Sequence, residues 1–387
     1  MPEKDEQLET WLFGQDDSCF PDYDTNQGQK SYPDVYKDLR LKLMPIHNKV
    51  ETGAMLASFY LWKKDIISTI EKSNNAGTPS NDFESLETLL NKDPTVYLNQ
   101  HGKGHVNKVI AKVGEIISNF RIEEDKPTPT EIFLLLCAIQ LHDVGNIFGR
   151  NNHEKSFQSE FMDISKSIIT DTVTSRLIFN IARVHSGNVD GNDTKEDTIS
   201  KGKLRTNGML RGEKVREPLL AALLRFGDEL ADDVSRADLE GLEKGRIPPE
   251  SLIYHEYSKS LKTVKIMKNE HSPTLYLYLE YFVDDSIVAK QYSKNRGDRL
   301  LIDEIFQRTI KMELERRYCM RFLGSYFLLE EIRVRIEIIS KFDLKDSEII
   351  TYTLKESGYP SGDITIDYPD NTGDKVLVML KNKGWKI

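Results

Sequence analysis

Five of the eight histidines in this chain of 387 residues lie between positions 101 and 185. One of them bears on chemistry together with its neighbour. His142 and Asp143 are adjacent in LHDVGN, at the end of the strongly apolar stretch IFLLLCAIQLHDVG. An unpaired charge buried in such a segment costs several kcal/mol, roughly 2–7 even for a neutral polar group. A divalent cation offsets that cost by binding a carboxylate oxygen and an imidazole nitrogen together. Two further ligands then have to come from other helices. The candidates are His105, 37 residues before His142, and Asp228 in LLRFGDELADD, 85 residues after Asp143. A zinc-protease reading of His101 and His105 fails, because no Glu follows the first His and two glycines interrupt the helix. His101 therefore reads as loop, and His105 as a first-turn residue facing inward with Val106 and Val109.

These residues need helices to hold them. From Tyr36 to Ser73 the apolar positions recur at helical spacing, and Phe83–Leu90 is a short helix candidate. His105–Phe120 puts Val106, Val109, Ile110, Val113, Ile116 and Ile117 on one side. The stretch from Thr128 to Gly145 is apolar all round, which means a helix buried among other helices. Ser156–Ile169 and Thr172–His185 read as two more helices, and Glu217–Asp233 as a buried one with Pro218 in its first turn. Residues 1–30 read as irregular, and 187–216 as a long polar loop with five glycines. A loop of that length is usually functional.

The pattern changes after about residue 250. Thr263–Met267, Thr274–Val283 and Glu331–Ser340 read as strands, and Leu300–Phe322 as a long charged helix. Ser347–Ser357 reads as a helix, and Asp363–Asp367 and Lys375–Lys381 as strands. The expected fold class is mainly α, with an N-terminal helical extension (1–94), a helical core (95–245) and a C-terminal α+β subdomain (246–387). The cluster Arg316, Arg317 and Arg321 reads first as a solvated or salt-bridged face, with a phosphate patch as the alternative. Tyr276, Tyr278 and Tyr281 read as packing, and His47, His255 and His271 as structural or exposed.

Composition narrows the function classes. With 53 Lys+Arg and 62 Asp+Glu the net charge is −9, which argues against holding nucleic acid by bulk charge. No apolar run approaches the roughly 20 residues of a membrane helix. Cys19, Cys137 and Cys319 are odd in number and widely spaced, which fits a reducing cytoplasm and excludes a disulfide scaffold.

The order His105, His142–Asp143, Asp228, in the contexts HGKGHVNKV, LLLCAIQLHDVGN and AALLRFGDELADD, resembles the HD superfamily of metal-dependent phosphohydrolases, over roughly residues 95–240. The resemblance implies an HD-domain helical bundle and a metal held by His105, His142, Asp143 and Asp228. It is similar above all to HD domains with additional histidines before the last aspartate, here His153 and His185. In such members these bind a second ion or act on the leaving group. Read from the sequence alone, His185 at a helix end also suits the C-terminal dipole, and His153 an exposed helix start. Asp143 would bridge two ions if two bind. The mixed N/O donors suit Mn²⁺, Fe²⁺, Co²⁺, Ni²⁺ or Zn²⁺, with Mg²⁺ left open. Arg150 and Lys155 flank His153 and would meet phosphate oxygens.

The resemblance implies a phosphohydrolase acting on a small nucleotide, with a metal-activated water as nucleophile. A divergent dNTP triphosphohydrolase is the leading expectation, although Asn146 and Ile147 break the HDxGH run of standard members. A phosphodiesterase for cyclic or oligonucleotide messengers is the alternative enzyme. A nucleotide-sensing module that signals through its C-terminal tail is the alternative from another class. The architecture also looks like HD domains of bacterial defence systems. Members similar to dNTPases commonly assemble, which implies a homo-oligomer.

Overall fold

The computed structural model describes residues 7–13, 23–25, 28–45, 47, 102–143, 168–169, 171–185, 196–294, 297–340, 347–356, 362–385 and 387. The helices expected over 83–90 and 156–167, together with His101, Arg150, His153 and Lys155, lie outside these residues.

Four helices carry the site: α1 (Lys103–Ser118), α2 (Pro129–Leu141), α3 (Thr172–Arg183) and α4 (Glu217–Leu230). The start of α2 is fixed by its sequence. Thr128 accepts from the Glu131 backbone while the Glu131 carboxylate reaches back to the Thr128 N–H, a reciprocal capping box with Pro129 in the first turn. The same buried carboxylate takes Arg216, just before α4, at 2.6 Å. One side chain thus aligns the starts of α2 and α4, whose far ends carry His142, Asp143 and Asp228. As the uniform apolarity of α2 requires, every residue from Thr130 to Leu141 is buried.

Gly227 lets α4 come close to α1. A Cβ at this position would lie 2.4 Å from Val113 Cγ2, so only glycine allows the approach that sets Asp228 beside His105. Overpacking of this kind costs about 1–3 kcal/mol. A Gly227→Ala variant is expected to melt lower than wild type, and adding Val113→Ala should recover part of the loss. If Gly227→Ala melts like wild type, the close approach contributes nothing.

The C-terminal third adds α5 (Pro249–Ser260), β1 (Leu261–Lys268), β2 (Leu275–Asp284), α6 (Leu301–Leu323), β3 (Leu329–Ile339), β4 (Ser347–Lys355) and α7 (Gly373–Asn382). The strands form one sheet in the order β4-β3-β2-β1, with β2 and β3 parallel and the outer pairs antiparallel. The parallel pair is joined by a crossover that contains α6, as parallel strands require. Leu277, Leu279, Tyr281, Ile332, Val334 and Ile336 alternate inward, and they share one hydrophobic core with α1–α4. The helix α1 also serves the sheet edge. Lys112 donates to Val264 O (2.7 Å), and Glu115 accepts from the Ile266 N–H, satisfying backbone groups of β1. Among the described residues, no helix is long and apolar enough to cross a membrane.

Several expectations need correction. Ser347–Ser357 is not helical: Ser347–Lys355 is strand β4, paired with β3. Its β-branched and aromatic run Ile349–Thr353 suits a pleated surface. Asp363–Asp367 and Lys375–Lys381 are not strands. The first is a 3-10 turn, Ile364–Ile366, capped by Asp363, and the second lies in α7, capped by Thr372. Residues 1–30 contain a helix, Gln7–Phe13, and a short hairpin, Tyr23–Thr25 with Gly28–Lys30. The described part of 187–216 is not one loop: it holds the helix Thr198–Lys201 and a hairpin, Gly208–Leu210 with Glu213–Val215. On α6, Arg316 and Arg317 share the Glu313 carboxylate, and Arg316 also donates to Leu329 O. This is the salt-bridged face that the sequence indicated, with Arg316 buried and Arg321, paired with Asp197, 62% exposed.

Candidate metal centre

His105 sits in the first turn of α1, as its spacing from Val106 and Val109 indicates, and is buried. His142 is the residue that closes α2, and Asp143 follows it. His185 comes just after α3, and Asp228 lies in the last turn of α4. These five side chains, spread over more than 120 positions of sequence, converge on one point.

The two helix-end histidines share a device. His142 Nδ1–H donates to Ile139 O (2.7 Å), and His185 Nδ1–H donates to Ala182 O (2.6 Å). Both acceptors are carbonyls of a helix's last turn, and Ala182 O also accepts the His185 backbone N–H at 3.2 Å. Each also fixes the ring so that Nε2 faces the site, the usual way a ligating imidazole is oriented.

Nε2 of His105 donates to Asp228 Oδ1 at 2.9 Å and lies 3.7 Å from Asp143 Oδ2. Nε2 of His142 faces Asp143 Oδ2 at 3.4 Å and Asp228 Oδ1 at 3.7 Å. His185 Nε2 approaches the other oxygen of Asp143, Oδ1, at 3.7 Å. Asp143 therefore divides its oxygens between two sides, His105 and His142 on one and His185 on the other. The rings pack at 5.7 Å (His105 and His142) and 5.0 Å (His142 and His185) between centroids.

Electrostatics separates the three imidazoles. Burial works to lower His142, but the carboxylates of Asp143 and Asp228 overcome it and hold it well above the ordinary range. Burial lowers His105, assisted by the Arg236 cation. Burial and the charge of His142 push His185 down to about 4. Burial would raise the Asp228 carboxyl, yet the His105 hydrogen bond and the facing His142 imidazole keep it well below the carboxylate range.

The donor set suits a cation. One ligand atom from each of His105, His142 and Asp143 lies within 4.8 Å of the others, the spacing of a metal's ligands. His142 Nε2 is buried with no hydrogen-bond partner among the described residues, and two carboxylate oxygens stand 3.4 and 3.7 Å from it. An orphaned nitrogen facing carboxylates is what a divalent ion would satisfy.

A family model described as HD-CE matches residues 87–316, well over half of the chain. The chain belongs to the HD-CE family. No curated protein and no solved structure matches it. The HD-CE match spans α1–α4 and ends in α6, and with the His/Asp cluster it suggests a metal-dependent hydrolase.

Of the residues singled out from sequence, His105, His142, Asp143, Asp228 and His185 come together here. His47 is structural, its ring bonded to Gln140 O, and His255 accepts from the Asp238 N–H. Sequence reasoning missed two cations at the rim. Lys108, one turn after His105, contacts Asp233 and Ser235. Arg236 follows on the 3-10 turn Val234–Arg236, which Asp233 caps. Asp233 thus holds the Arg236 turn against α1, close enough for its charge to act on His105. The signal for Arg236 was the run DDVSR immediately after the apolar helix.

Proposed function

We propose that this HD-CE protein is a metal-dependent phosphohydrolase with a small nucleotide substrate, a dNTP being the first candidate. The observation that carries the reading is the convergence of His105, His142, Asp143 and Asp228 around the orphaned His142 Nε2. These four would hold the first cation, of the Mn²⁺, Fe²⁺, Co²⁺, Ni²⁺ or Zn²⁺ class, and His185 with Asp143 Oδ1 would face a second. A bound divalent ion lowers the pKa of water and polarises a phosphoryl oxygen.

The chain's own residues supply the rest. Asp143 and Asp228 keep the imidazoles oriented, and the Nδ1 hydrogen bonds of His142 and His185 hold Nε2 toward the reacting phosphate. Arg236 meets a phosphate oxygen as a planar fork at the His105 side. That local cation matters in a chain of net charge −9, whose overall field repels an anion. Arg150 and Lys155 would meet phosphate oxygens, and His153 would act at the second ion or the leaving group.

The test is a screen of dNTPs, NTPs and cyclic nucleotides with Mn²⁺ or Co²⁺, read as release of phosphate, triphosphate or linear product. Turnover of one class that EDTA abolishes is expected; tight binding of a nucleotide without turnover under any metal would instead favour a sensor. With the substrate in hand, Arg236→Ala should raise KM by about 10- to 100-fold, the loss of one charged hydrogen bond, with kcat less affected. An unchanged KM would remove Arg236 from phosphate binding.

A further inference from the structure

Arg225 interrupts the apolar face of α4 one turn before Asp228 and is 1% exposed. A guanidinium that deep must be fully partnered. Its Nε donates to Glu315 Oε2 of α6 at 2.5 Å, and both side chains are 1% exposed. One terminal nitrogen donates to Thr198 Oγ1 (2.7 Å), the other to Glu196 O (2.7 Å). The Thr198 hydroxyl passes the connection on, donating to Val184 O at 2.8 Å. Val184 O belongs to the peptide that carries His185.

A second tie runs parallel to the first, since Arg321 of α6 pairs with Asp197, the residue that caps Thr198–Lys201. The segment 196–201 is thereby held by Arg225 of α4, itself backed by Glu315 of α6, and by Arg321 of α6, and it bonds the end of α3 through Thr198. Arg225 also lies over the Tyr318 ring of α6, 5.5 Å from its centroid.

We infer that Glu315, Arg225 and Thr198 form a positioning strut that sets His185 against Asp143, making α6 a working part of the site. This rests on the reading of His185 as a site residue. Glu315 and Arg225 are positioning residues that act through Thr198 and the 184–185 peptide. The remaining ligands have their own supports: His142 on Ile139 O, and His105 with Asp228 across the Gly227 crossing. The HD-CE match agrees in extent, as it continues through Glu315 and stops at residue 316.

The test reads the ring of His185 in the full chain without metal. Histidine-selective ¹⁵N labelling with long-range proton–nitrogen correlation reports which nitrogen of each ring carries the proton, and His185→Asn assigns its signals. In wild type, His185 should appear as the Nδ1–H tautomer. Thr198→Val removes the hydroxyl and should shift the His185 nitrogens and erase that single-tautomer signature, leaving His105 and His142 in place. Thr198→Ser should restore it. Glu315→Gln, which keeps the shape and removes the charge, should move His185 in the same direction and gives a second, independent variant beside Thr198→Val. Unmoved His185 signals in the folded variants would overturn the strut, as would an equal displacement of all three site histidines. Because no substrate is involved, failure of the phosphohydrolase reading and failure of the strut are distinguishable.

Discussion

Asp143→Asn is expected to lower turnover of the phosphohydrolase by about a thousandfold or more, equivalent to roughly 4 kcal/mol of lost transition-state stabilisation. The substitution is nearly isosteric, and the side chain is 14% exposed at the rim of a buried cluster, so the fold should survive it. What it removes is the one carboxylate whose two oxygens face different histidines, Oδ2 toward His105 and His142 and Oδ1 toward His185. The loss should therefore exceed that of a substitution on one side only, such as His185→Asn. Thermal unfolding gives an activity-free check. A cation that binds only the native state at about 100 times its Kd stabilises it by about 2.7 kcal/mol. Mn²⁺ should raise the melting temperature of wild type and leave that of Asp143→Asn unchanged. Equal shifts in both would show that the ion binds elsewhere.

Arg225→Met has the second large effect, this time on stability. It leaves Glu315 buried at 1% exposure without its cation. Breaking a buried ion pair from one side costs about 3–5 kcal/mol, whereas replacing both partners with apolar groups of similar volume is often neutral. The double variant Arg225→Met with Glu315→Leu should thus recover most of the stability lost by Arg225→Met alone, measured by urea unfolding with an unchanged slope. It should not recover the position of His185, because Thr198 still lacks its donor. Stability and positioning then separate in one pair of proteins. If the double variant is as unstable as the single, the pair does not govern the folding cost of Arg225.

The helices that carry the ligands were legible because one physical rule dominated each. The all-round apolarity of Ile132–Leu141 left burial as the only solution, and Thr128 with Glu131 marked its start. His142 and Asp143 stood out because polar groups at the end of such a run need a partner. Meeting of His105 with Asp228, 123 positions apart, is a tertiary fact, and only the motif order of a known superfamily suggested it. Strand β4 was misread because its flanks, Ser347–Glu348 and Lys355–Glu356, look helical. Its strand state comes from pairing with β3, in a register that runs from Ser347 opposite Ile339 to Lys355 opposite Glu331. The reverse error at α7 arose from the run Val376–Leu380, whose β-type composition concealed the Thr372 cap and the buried Val376 and Leu380 four residues apart. Arg225 was visible as a lone cation in LLAALLRF, but its partner Glu315 lies 90 positions on, in a helix whose charges appeared solvated.

The central claim is that His105, His142, Asp143 and Asp228 hold a divalent cation. Titration of Mn²⁺ into metal-stripped protein, followed by electron-nuclear spectroscopy of the bound ion, tests it most directly. At least one Mn²⁺ per chain is expected, with ¹⁴N couplings from imidazole that weaken in His142→Gln, where only His105 still supplies a nitrogen, and binding that collapses in Asp143→Asn. Bound Mn²⁺ with an all-oxygen environment, or an identical signal in wild type and both variants, would place the ion somewhere other than this cluster.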